Sequence, residues 1–258
     1  MTNRFTRIKW TILAALTVGL GTVPVWGSEY AMLFFMLFCI YLALAQMWNL
    51  LAGYSGLISL GQQSFVGLGG YTVAVLSSYY GMNIWISVSL GGVTSVLLAL
   101  FMSLLIFRMK GVYFAIGTWI FAEALLVWFS NWAYVKYGSG LFIKPNNGLS
   151  MVAIYYAAFI VGAGSVALVY KLLRSRLGLG LMAMRDDDQV SETLGVDVFR
   201  SKLYCFLISA FVTGITAGIF YVFQIFLPSC SMKMPPSAFI LARTRSSTQG
   251  VGAPKSAR

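Results

Sequence analysis

The chain has 258 residues, of which 59% are apolar and only 10% charged, with 18 lysines and arginines against 7 acids and no histidine. A soluble domain needs charged residues to face water, and a chain without histidine lacks the commonest general base and transition-metal ligand, which disfavours soluble-core and metal-hydrolase classes together. The formal charge of +11 sits at the ends of apolar runs, not on an aromatic-interleaved soluble face, so it reads as membrane topology and not as a nucleic-acid surface.

Seven apolar segments follow in chain order: Trp10–Trp26, Tyr30–Leu51, Ser64–Tyr80, Ile84–Phe107, Val112–Asn131, Met151–Tyr170 and Leu203–Leu227. Each is near the ~20 residues that a helix needs to cross a bilayer. None alternates as a lipid-facing barrel strand would, so the expected fold is all-α, a polytopic transmembrane bundle of about seven spans in lipid. The first segment follows MTNRFTRIKW and fits either a signal peptide or a retained first span. Cys39, Cys205 and Cys230 are scattered and build neither a disulfide framework nor a metal pair.

Within the second and third segments, Gly53–Tyr71 contains six glycines in nineteen residues, with serines and glutamines between them. Glycines permit close helix approach or a broken helix, and irregular backbone at membrane depth survives only inside protein or beside a cavity. Ser59, Gln62, Gln63 and Ser64, which carry hydrogen-bonding groups without a fixed charge, are therefore candidates for a substrate path; the competing role is bonding between helices. Glu123 is the one acid within the fifth segment, and an ionisable group in a span is a functional candidate, with helix packing as its alternative role. Trp10, Trp26, Trp128 and Trp132 lie near segment ends, as interfacial anchors do.

Lysine and arginine set orientation, because they are retained on the cytoplasmic side. With a cytoplasmic N-terminus, Arg4, Arg7, Lys9, Arg108, Lys110, Lys171, Arg174, Arg176, Arg185, Arg200 and Lys202 are all inside, and only Lys136 and Lys144 fall outside. This asymmetry favours a retained first span in a multi-pass membrane protein.

The stretch Ala183–Asp197 holds five of the seven acids. Three aspartates at mid-bilayer would cost on the order of 8–10 kcal/mol, so this stretch is extramembrane. Leu181–Leu194 lacks Gly and Pro and is followed by Gly195, which predicts a short cytoplasmic helix with Gly195 at its C-cap and a narrow apolar stripe of Ala183, Val190 and Leu194. An enzyme binding Mg²⁺ through Asp186, Asp187, Asp188 and Glu192 is a rival reading, but adjacent helical residues point about 100° apart and cannot converge on one ion. No metal site and no cofactor are expected.

The last stretch, Pro228–Arg258, carries four of the six prolines, six serines, five basic residues and no acid. It is expected to be a disordered or loosely attached tail, leaving 1–227 as the membrane domain.

Three residue sets together resemble the permease family of high-affinity branched-chain amino acid ABC importers, of the LivM type. They are Asn49–Phe65 continuing to Gly69-Gly70-Tyr71; Arg108–Thr118 with Phe121 and Glu123; and Ser175–Gly178, Ala183–Asp186, Leu194–Val196 and Lys202. The resemblance covers about Tyr41 to Tyr221. It implies a membrane-spanning subunit that moves branched-chain or related hydrophobic amino acids, or urea and short-chain amides in a related branch. It also implies a second, LivH-like permease, two cytoplasmic ATPase subunits and an extracytoplasmic binding protein as partners. The region 175–202 matches the family's coupling segment, which nominates Ala183, Met184, Arg185, Asp186, Asp187, Glu192, Leu194 and Gly195 for ATPase docking. The chain has no GxxxxGK[ST] loop, so hydrolysis belongs to the partners and the subunit is not itself an enzyme. Family members continue past the equivalent of Tyr221 with a GGxG-containing segment and further helices, so this chain reads as truncated or altered after about residue 227.

Overall fold

A lipid environment offers backbone groups no hydrogen bonds, and the chain meets that constraint with helices alone among the described residues. The computed structural model describes residues 17, 19–24, 26–109, 111–133, 150–186, 191 and 197–231. The helices are α1 (Glu29–Trp48), which runs into a π-helical turn (Asn49–Tyr54), α2 (Gln62–Tyr79), α3 (Ile84–Ile106), α4 (Val112–Asn131), α5 (Met151–Leu173), α6 (Arg176–Asp186) and α7 (Val198–Ser231).

Side-chain oxygens start four of them. Ser28, Asn83 and Ser150 accept hydrogen bonds from the backbone N–H groups of Ala31, Trp85 and Val152. Asp197 accepts one from Arg200 at the head of α7, and its other oxygen pairs with the Arg200 guanidinium at 3.0 Å. One of the five clustered acids is thereby an N-cap, which supplies an acceptor to an orphan donor of the first turn. Gly111 takes φ +59 between α3 and α4, a left-handed conformation that favours glycine and lets the chain reverse in one short corner.

Among the described residues, five helices are long and apolar enough to cross a membrane: Glu29–Tyr54, Ile84–Ile106, Val112–Asn131, Met151–Leu173 and Val198–Gln224. They match five of the seven expected segments and make this a multi-pass membrane bundle. The expected Ser64–Tyr80 segment is the helix α2, too rich in glycine and serine to qualify by hydropathy. The expected first segment is helical where described, at 19–24, and is pinned to α5 by the Tyr155 hydroxyl, which donates to the Leu20 carbonyl at 2.6 Å. The last helix continues through Ser231, past the expected end at Leu227; the tail beyond it lies outside the described residues.

Two apolar clusters mark the two ends of the bundle. One joins Met36, Val73, Val88, Tyr155, Ile219 and Phe223. The other joins Leu51, Leu57, Phe65, Ile106, Phe114, Leu181, Met184 and Phe206, with Phe107 edge-on to both Phe199 and Phe206 at 5.8 and 5.5 Å. The second cluster collects the end of α3, the start of α4, Leu181 and Met184 of α6 and the start of α7. The positions next to Arg108, Arg174 and Arg200 therefore share one end of the molecule, as a single basic membrane face requires.

Candidate functional site

The glycine-rich stretch forms both structures open to it. At the basic end, α1 passes through the π-helical turn, breaks over Ser55–Leu60 and restarts at α2. Gly56 has φ +69, which again favours glycine. The freed backbone groups are satisfied locally: Leu57 N–H donates to the Leu51 carbonyl at 3.0 Å, and the Ser55 hydroxyl donates to the same oxygen at 2.8 Å. From α4, Thr118 Oγ1 accepts a hydrogen bond from Leu60 N–H at 3.1 Å. A Cβ at Gly61 would come within 2.9 Å of the Thr118 carbonyl, so the break and α4 touch backbone to backbone.

Beyond the break, α2 lies in a seam with α7 and α3. Gln62 donates from Nε2 to Ser209 Oγ at 3.2 Å, and Ser209 Oγ donates to the Met47 carbonyl at 3.4 Å. About two turns further along α2, Gly69, Gly91 and Gly214 meet: a Cβ on Gly69 would sit 2.7 Å from the Gly214 carbonyl, and one on Gly91 3.1 Å from the Gly69 carbonyl. Ser95 closes this knot, donating to the Gly91 carbonyl at 2.9 Å and to Phe65 at 3.3 Å. The pairs Gln62–Ser209, Gly69–Gly214 and Val73–Gly218 advance together, so α2 and α7 run parallel. In lipid, close approach of small residues and hydrogen bonds between helices supply the association that apolarity cannot.

The four residues nominated for a substrate path divide here. Ser59 is buried and accepts from Gly61 N–H at 3.4 Å, and Gln62 bridges to Ser209. Both serve the fold. Gln63 is exposed, while Ser64 is buried with its hydroxyl unpartnered among the described residues, as is Thr213 on α7. Thr213 went unnoticed in the sequence because a threonine in an apolar run looks like ordinary helix filler. Only its position in the seam distinguishes it.

Glu123 lies apart from this seam. It is exposed on the outer side of α4, where its carboxylate accepts a hydrogen bond from Trp119 Nε1 at 3.2 Å. Among the described residues it forms no salt bridge. An acid near the middle of a span costs of order 3 kcal/mol in lipid, which one indole N–H does not offset. Two depressions run along this side of the helix, one of about 480 Å³ lined by Arg108, Met109, Tyr113, Ile116, Gly117 and Ile120. The other, of about 490 Å³, is lined by Trp119, Ile120, Glu123, Ala124 and Val127.

The nominated coupling segment starts earlier than periodicity predicts, as α6 from Arg176. The Ser175 carbonyl accepts from the N–H groups of Gly178 and Leu179, and a Cβ on Gly178 would fall 2.5 Å from Leu173 Cα, so α5 turns into α6 through a tight two-residue corner, Arg174 and Ser175. Leu181 and Met184 are buried against Leu57, Phe65 and Phe206, while Ala183 is half-buried. Met184 thus holds α6 to the bundle. Arg185 and Asp186 lie in the last turn of α6; Asp187, Val190, Glu192, Leu194 and Gly195 lie outside the described residues.

Residues 30–242 match the family model described as branched-chain amino acid transport system / permease component. The chain is similar to the high-affinity branched-chain amino acid transport system permease protein LivM of Salmonella typhimurium, with 28% identity over 233 residues, 79% of this chain and 55% of that protein. The protein of the same name from Escherichia coli is 27% identical over 235 residues, with the same coverage. The chain therefore spans about half the length of the curated relatives it matches. No solved structure matches it.

Proposed function

Because the chain belongs to the branched-chain amino acid transport permease family, we propose that it is the membrane-spanning subunit of an ABC importer and translocates branched-chain or related hydrophobic amino acids delivered by a binding protein. The observation that carries this reading is the extent of the family match, which takes in the broken helix, the α2–α7 seam and α6.

The partners are a second permease subunit, two cytoplasmic ATPase subunits and the binding protein, with the N-terminus of this chain in the cytoplasm. In this reading the ATPase meets the segment around α6 through Ala183, Arg185, Asp186, Asp187, Glu192, Leu194 and Gly195, and charge complementarity contributes orientation and partner choice. Met184 supports the same surface from beneath.

The packing of α6 gives a route for coupling. Leu181 and Met184 contact the same apolar cluster as Leu57 in the break and Phe206 in α7, and the break is tied to α4 through Thr118. Displacing α6 as a rigid handle therefore presses on α7 and on the irregular segment Ser55–Leu60, and through that segment on α4, a physically continuous path for alternating access. Gln63 and Ser64 are the members of the polar set left to meet the substrate, since their hydrogen-bonding capacity is not spent on the fold.

Co-expression with the second permease and ATPase subunits, reconstitution, and measurement of ATP-dependent leucine uptake test the proposal. A stable complex with uptake is expected, and reversing Asp186 and Asp187 to lysine is expected to release the ATPase. A well-folded chain that retains no ATPase overturns the reading.

A further inference from the structure

Within the bundle α4 has an outer side for which the chain provides no cover among the described residues. Ile116, Trp119, Ile120, Glu123, Ala124 and Val127 recur at spacings of three and four along it, which is one stripe of a helix. The two depressions on this side share Ile120, so they form one groove along the helix. Ala124, in the second depression, is small and exposed, which admits close approach of another helix, and the flanking Trp119 supplies a wall. In the second depression stands Glu123, whose carboxylate accepts one hydrogen bond among the described residues, from the Trp119 indole N–H.

That carboxylate decides what fits. An apolar occupant, whether lipid or an ordinary span, would leave the acid without a partner in a medium where such groups are found paired. A second copy of this chain docked through the same face would bring Glu123 against Glu123, and Val112–Asn131 contains no lysine or arginine to offset them. Arg108 borders only the far end of the groove; the eleven helical steps from Val112 to Glu123 already place about 16 Å of helix between them.

We propose that the α4 groove is the docking surface for a transmembrane helix of the second, non-identical permease subunit, one that presents a basic side chain to Glu123. The inference rests on the subunit reading above and adds to it the contact face and the chemistry of the contact. The helix lies along Ile116–Val127 with its small residues over Ala124, and its cation takes the carboxylate oxygen that Trp119 leaves open.

Photo-crosslinking in the full chain, co-expressed with its second permease subunit, tests this. A benzophenone amino acid replaces Ile120 or Val127 in separate variants, with Leu97, exposed on α3, as the control position. Adducts to the second subunit are expected from Ile120 and Val127 and not from Leu97. Glu123→Gln should lower recovery of the heteromer about fivefold or more, the scale of a hydrogen-bonded contact between helices in lipid. Glu123→Lys, combined with a carboxylate at the partner's basic position, should restore it. Adducts between identical chains, within one chain, or to lipid only, from a preparation in which the heteromer still co-purifies, overturn the docking face and leave the subunit reading intact. Failure of any second permease to co-purify with a chain that elutes as a monodisperse peak overturns both.

Discussion

Two of the spans, α7 and α4, read alike in hydropathy and lie at opposite extremes of the fold. In the most apolar window of α7, 67% of residues are buried inside the bundle; in that of α4, only 22% are. The difference follows composition of a kind hydropathy does not measure. The buried side of α7 places Ser201, Ser209, Ala210, Thr213, Gly214, Thr216 and Ala217 among a few large anchors, Phe206, Ile219 and Phe223, while α4 turns Ile116, Trp119, Ile120, Leu126, Val127 and Trp128 outward. Lipid tails are as apolar as leucine, so a large apolar side chain gains little by moving inside, whereas small and hydroxylated residues gain contact and hydrogen bonds there.

That contrast is broken most readily in α7. Phe206 is buried and packs edge-on against Phe65 at 5.5 Å and against Phe107. Phe206→Ala should lower stability by about 4 kcal/mol, seen as a large fall in the thermal midpoint of the detergent-purified chain. Gly69→Val should cost about 3 kcal/mol, because its Cβ would enter the Gly214 carbonyl and backbone cannot yield as a flexible side chain does. Equal losses from Gly67→Val, where a Cβ meets nothing within 4 Å, would sink the three-helix knot as an explanation.

The smaller effects test α4. Thr118→Val keeps shape but removes the acceptor for Leu60 N–H, and should cost about 1–2 kcal/mol with faster hydrogen exchange confined to the break. Val127→Ala should change the stability of the isolated chain by less than about 0.5 kcal/mol. If Val127→Ala destabilises the isolated chain as much as Phe206→Ala, then α4 is core and the contrast fails.

Much of the fold was legible because hydropathy and length are local properties. Five expected segments coincide with membrane-long helices, and Gly53–Tyr71 announced irregular backbone through its glycines. Helix α2 shows where hydropathy stops: its glycines and serines lower its apolarity while making it the partner of α3 and α7. The start of α6 was hidden for another reason. Its first residues, 176–180, precede the expected start at Leu181 and include Gly178 and Gly180, and they pack into a corner with α5 that has no room for a Cβ at Gly178. Among the site residues, composition singled out Ser59, Gln62, Ser64 and Glu123 as unusual without saying what each touches.

By itself the sequence determined that this chain is a bundle of membrane helices, that its charge gathers at particular segment ends, and that one stretch could not be regular lipid-facing helix. These follow from the cost of polar groups in lipid, which every residue bears according to its own chemistry. Which helices are central and which face outward was decided only by tertiary packing. Small-residue contacts and hydrogen bonds join positions as far apart as Gln62 and Ser209, and no local window contains both partners. The same packing assigned Met184 to the core and left Glu123 facing out from α4.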